Sequence, residues 1–187
     1  MRALALSLCL LAAPATAQDR FANALADAAR AERDEGRIRA WVLCGEGATT
    51  TAAGAAMALA TDDERVRFAG LMTLTFGAVN LALATPWLLR ASRIPSARAG
   101  ESELAARLRL AREARGTAAV FALNTGLDVA YVSAGAAALA LADGDPRLRG
   151  GGIAVLAQGL FLLAFDLWGW IAAARDADRY TDLAPAP

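Results

Sequence analysis

Four stretches of this chain run for twenty residues or more with almost no charge. Residues 68–89 carry none, and residues 40–60, 116–142 and 150–174 carry one acid each, Glu46, Asp128 and Asp166. A buried helix of a soluble domain shows a polar stripe every 3.6 residues, whereas these stretches are apolar or small nearly all the way round. Each is long enough to cross a bilayer at about 20 helical residues. The pattern predicts an all-α fold: an integral membrane four-helix bundle of two helical hairpins, residues 40–89 and 116–174. The first span is diluted by Gly45, Gly47, Gly54 and Thr49 to Thr51, so it is expected to insert against its neighbours.

The intervening segments have a different rhythm. Residues 1–17 combine Arg2, an apolar run and Ala15-Thr16-Ala17, the three parts of a cleavable signal peptide. Residues 18–39 read as an amphipathic helix with Phe21, Leu25 and Ala28 in register. Residues 90–115 form an Arg-rich loop in which 101–115 place Leu104, Leu108 and Ala111 on one face. Both amphipathic segments are expected to be solvated or to lie on the lipid surface. Residues 175–187 are read as a polar tail.

Sliding the chain on itself by 81 or 82 residues superposes Gly45 on Gly126, Gly54 on Gly135, Gly70 on Gly152 and Gly77 on Gly159. The second hairpin therefore reads as a copy of the first. With two spans per copy, the copies must sit the same way up, as parallel repeats. The glycines at sevenfold spacing predict a close packing seam. Counted inward from the side where spans one and three begin, Glu46, Asn124, Asp166, Asn80 and Asp128 lie at roughly 9 to 16 Å, a single layer. All four Trp fall near that same side, at the level of the headgroups.

Composition narrows the chemistry. Nineteen Arg balance nineteen acids, with no surplus of positive charge for nucleic acid. The absence of His removes the commonest neutral-pH base and transition-metal ligand. No cofactor is implied. Cys9 leaves with the signal peptide, so Cys44 has no internal disulfide partner and reads as a small packing residue. Sidedness is contested: a cleaved signal puts both termini in the periplasm, yet fourteen mature Arg flank that side against four in the short turns. We take the signal as the stronger indication, for a multi-pass protein of a bacterial inner membrane.

A carboxylate in hydrocarbon costs several kcal/mol, so Glu46, Asp128 and Asp166 must face the bundle interior, hold a proton or find a partner. Asn124, Asp128 and Tyr131 share one helical face, with the Asn124 amide able to donate to Asp128. The candidate ligand-binding set is Asp128, Asp166, Glu46, Asn124, Asn80 and Tyr131, with Arg39, Arg90, Arg115 and Arg175 within reach from the rim. Such a cluster suits a cation, a proton or a small polar ligand, as in a sensor or a transport-related protein. The alternative is a structural or assembly subunit whose acids only join helices and whose glycine faces meet a second copy or another membrane protein. An interfacial lipid-modifying enzyme is a third reading, disfavoured because its chemistry would rest on acids alone.

Residues 124–135 (NTGLDVAYVSAG), 158–170 (QGLFLLAFDLWGW) and 77–84 (GAVNLALA) resemble an uncharacterised family of bacterial four-span membrane proteins with leading signal peptides. The resemblance covers roughly residues 40 to 175. It implies that architecture and no catalytic residues.

Overall fold

The computed structural model describes residues 17–91, 98 and 100–183. The expected signal peptide lies outside the described residues, apart from Ala17. The described residues form four α-helices and no strand: α1 (Ala17–Leu59), α2 (Glu64–Ala91), α3 (Glu103–Ala140) and α4 (Pro146–Asp182). By length and composition, α2 over Glu64–Leu89 and α4 over Pro146–Asp182 are apolar enough to cross a membrane.

The amphipathic segments do not stand apart from the spans. Residues 18–39 and 40–59 are one helix of 43 residues, about 64 Å long at 1.5 Å per residue. No Pro interrupts it, and its lone early glycine, Gly36, costs only about 1 kcal/mol. Residues 103–115 likewise continue into the charge-poor stretch that follows, and the tail remains helical to Asp182. These extensions pack on one another. Phe21, Leu25, Ala28 and Ala29 of α1 meet Ala106, Leu110, Ala111 and Ala114 of α3 and Ala177 and Tyr180 of α4 in one core. The result is a three-helix collar in which the starts of α1 and α3 meet the end of α4, so α1 and α3 run in the same direction.

The collar corrects the expected surface-lying helices: an amphipathic face that reads as lipid-seeking in isolation is buried here against two others. On α3, Leu104 and Leu108 are 47% and 42% exposed, and only Ala111 of the expected face is buried. The register comes from further along the helix. Ala114, Phe121, Asp128 and Gly135 are all buried at intervals of seven, which sets which way the first turns must face. Ser102 caps α3 by accepting from Ala105 N at 3.3 Å. Arg109 clamps Glu101 through Nε and Nη2, both at 2.9 Å; that hydrogen-bonded guanidinium holds the Glu101 carboxyl down at about 2.

Below the collar the two hairpins use the same glycine device. A Cβ on Gly47 would lie 2.9 Å from the Gly77 carbonyl, and one on Gly54 would collide with the backbone of Leu74 and Gly70. In the second hairpin a Cβ on Gly152 would lie 3.1 Å from the Gly135 carbonyl, and one on Gly159 3.0 Å from Val132 N. Gly45 and Gly126, which also coincide in the sequence repeat, have nothing within 4 Å and are not seam positions. The turns repeat too. Asp63 Oδ1 accepts from Arg65 N and Val66 N at 2.9 and 3.3 Å, and Asp145 Oδ1 from Arg147 N and Leu148 N at 2.8 and 3.2 Å. Both satisfy the free amides of a helix start. The second turn also needs a left-handed residue, met by Gly144 at φ +89°.

The hairpins join through α2 against α4, where a Cβ on Gly150 would strike the Arg65 carbonyl. Arg147 Nε reaches Glu64 Oε1 at 2.5 Å across the two turns. Between α2 and α3, by contrast, no Cα atoms approach within 8 Å. That gap creates the site.

Candidate functional site

A cavity of about 750 Å³ occupies the space between α2 and α3, with α4 as its floor. Its lining follows helical faces: Thr75, Val79, Asn80, Leu83 and Trp87 on α2, Phe121, Asn124, Asp128 and Tyr131 on α3, and Gln158, Leu162, Phe165 and Asp166 on α4. Spacings of three and four put each set on one side of its helix. The size is that of a small-molecule pocket, mostly apolar with a few converging polar groups.

Asp128 and Asp166 are 3% and 6% exposed and face one another across the α3–α4 interface. A proton or a cation shared between two such carboxyls relieves their mutual repulsion. The Asn124 amide lies against Asp166 on the neighbouring helix. Asp128 Oδ2 is buried without a hydrogen-bond partner, and so is Gln158 Nε2. Among the described residues, no ion pair with Arg reaches this layer, and no group of three or more acids or cysteines could hold a metal ion.

Five of the six sequence candidates line the cavity: Asp128, Asp166, Asn124, Asn80 and Tyr131. Glu46 does not. It lies in the α1–α2 interface behind Asn80, whose Nδ2 donates to Glu46 Oε2 at 2.6 Å, while Thr50 Oγ1 donates to Oε1 at 2.7 Å. Both carboxylate oxygens of Glu46 therefore have donors. Tyr131 stands at the rim, 47% exposed.

Aromatic rings close the cavity toward the collar. Trp87 lies 5.8 Å from Phe121 and 6.4 Å from Phe165, and Phe121 and Phe165 are 6.3 Å apart, edge to face. Trp87 thus turns inward, while Trp41, Trp168 and Trp170 are exposed. Two of the rim arginines, Arg39 and Arg115, have partners in the collar. Arg39 is buried with its guanidinium 6.0 Å from the Phe121 centroid and 3.8 Å from Glu35; burial pulls it below the usual range, against the pull of Asp176, Glu35 and Glu32. Arg115 donates to Thr181 Oγ1 at 3.0 Å. Beside Arg39, Tyr180 donates to Glu32 Oε2 at 2.7 Å. Burial pushes the Glu32 carboxyl up, and the tyrosine hydrogen bond partly restores it.

Gln158 lines the cavity but is not among the six sequence candidates. Its signal is positional: Gln158, Leu162, Phe165 and Asp166 fall at i, i+4, i+7 and i+8, one stripe of α4. The aromatic closure left a similar trace in the spacing of Ala114, Phe121 and Asp128.

Fold and site define a helical bundle with an acid-and-amide cleft between two hairpins. The chain belongs to a family of unknown function, DUF6992, whose match covers residues 42–167. The match contains both hairpin seams and every cavity residue discussed above, and it agrees with the range of the resemblance read from the sequence. No curated protein and no solved structure matches the chain.

Proposed function

We propose that this chain is a four-span inner-membrane protein whose α2–α3 cleft binds a cation, a proton or a small polar ligand at the Asp128–Asp166 pair, as a sensor or transport-related protein. The observation that carries the reading is Asp128: a buried carboxyl with one oxygen unpartnered, lining a cavity large enough for a ligand. Membrane residence is supported by the exposure of α2 and α4. Only 28% and 44% of their apolar windows are buried, where the core helix of a soluble protein would be mostly covered. The glycine seams hold the apolar parts of α1 and α3 alongside α2 and α4, and so at the same depth.

Asp128→Asn in detergent tests the site. The wild-type protein should show a thermal midpoint that responds to pH or to added cations, and the variant should lose that response while still folding. A response unchanged by the substitution would overturn the reading. An alkaline phosphatase fusion at residue 100 tests the orientation: activity is expected for a periplasmic loop, and inactivity reverses it. The structural-lock reading is favoured at one place, Glu46, where Asn80 and Thr50 satisfy the carboxylate completely.

A further inference from the structure

We infer that the cleft takes a membrane amphiphile with a single ammonium head and an apolar body, entering sideways between α2 and α3. The inference rests on the binding role proposed for Asp128 and Asp166 and names the ligand class. Three observations carry it.

The first is the direction of the opening. The walls separate between α2 and α3, not toward the collar, where Trp87, Phe121 and Phe165 close the cavity. Both lips of the slot are exposed and apolar, Val79 and Leu83 on α2 and Val120 and Leu127 on α3. A water-borne ion would have to cross this apolar edge, whereas an acyl-like body is already in the phase that the edge faces.

The second is the charge and donor balance around Asp128 and Asp166. Two carboxyl groups face one another there with one acceptor, Asp128 Oδ2, free of any partner. An ammonium group supplies a positive charge and three donors in a compact head. A head carrying phosphate would bring an anion against two carboxyls. Fewer than three acids converge, too few for the six to eight oxygens of a calcium site. The third is Gln158. Its buried Nε2 has no partner, and the residue lines the same cavity eight residues along α4 from Asp166, about 12 Å deeper. A hydroxyl or carbonyl on the ligand body would accept from it.

The test uses the full chain in phosphatidylcholine nanodiscs, read by tryptophan emission because Trp87 lines the cleft. Dodecylamine should give a saturable change that Trp87→Phe removes, with dodecanol and ethylamine at least tenfold weaker. Asp128→Asn should weaken dodecylamine at least tenfold. Leu83→Trp, on the exposed lip and away from the acids, should do the same by filling the slot, so the result does not hang on a substitution of an acid. Ethylamine binding as tightly as dodecylamine, and depending on Asp128, would overturn the amphiphile and leave the proposed cation site standing. A dodecylamine signal that survives both substitutions would reflect partition into the bilayer and overturn the inference. No saturable response to either amine would also overturn it, while the pH and cation response of the preceding section would still decide the site by itself.

Discussion

The two hairpins share a plan and differ in what each does with its acids. Both are held by glycines at matching register, yet where the first has Gly47 the second has Asp128, and where the first has the fully buried Ala84 the second has Asp166. The first hairpin in turn has Glu46 and Asn80 where the second has Leu127 and Leu162. In the first, an amide and a hydroxyl answer the carboxylate and the helices close tightly. In the second, two carboxyls face one another and an oxygen is left over. A polar group buried with a partner is a fastener; one buried without a partner is costly unless something else satisfies it.

Disrupting the shared plan should have the largest effect. Gly54→Leu and Gly135→Leu place a side chain against opposing backbone in the two seams, and each should cost about 3 kcal/mol or more by chemical unfolding in detergent. If either is tolerated, the hairpins are not held as described. The divergent acids come next. Asn80→Leu strips Glu46 of a donor and should cost about 2 kcal/mol, whereas Asp128→Asn supplies Asp166 with an amide donor and should change stability by less than about 1 kcal/mol. Reversal of that order would erase the distinction between fastened and unfastened acids.

A smaller effect is expected in the collar. Tyr180→Phe removes the hydrogen bond to Glu32 and should cost about 1 kcal/mol. Because burial raises Glu32 above its ordinary value of 4.5, the folded state holds that proton more tightly than the unfolded chain. Its contribution is full below 4.5 and is lost as pH rises through the folded value. Hydrogen-exchange protection of the first turns of α1 should therefore fall with rising pH, and Glu32→Gln should flatten that dependence. Smallest of all, Gly126→Ala adds a methyl where nothing lies within 4 Å and should stabilise α3 by up to about 1 kcal/mol.

Much of this arrangement was legible in the sequence because it is local or periodic. The four charge-poor stretches mark the helices, and the 81- to 82-residue register picks out Gly54, Gly70, Gly77 and their counterparts as seam positions, though Gly45 and Gly126 share that register without packing. The shared depth of Asp128, Asp166, Asn124 and Asn80 anticipates their convergence, since depth along a helix follows from counting. What counting cannot supply is azimuth between helices. Glu46 has the right depth but faces Asn80 from behind the cleft, and Asn124 lies against Asp166 on the neighbouring helix. The collar was missed for a related reason. Each amphipathic segment has an apolar face that suits lipid equally well, and only the long-range meeting of Leu25, Leu110 and Tyr180 distinguishes the two uses.

The collar also distributes restraint unevenly. α1, α3 and α4 all pass into it, whereas among the described residues α2 adds none to its core. Three of the four helices are thus tied at one end of the bundle, and the fourth is anchored by its flanks alone. The slot therefore has one wall braced at the collar and one joined to the bundle along its length through α1 and α4.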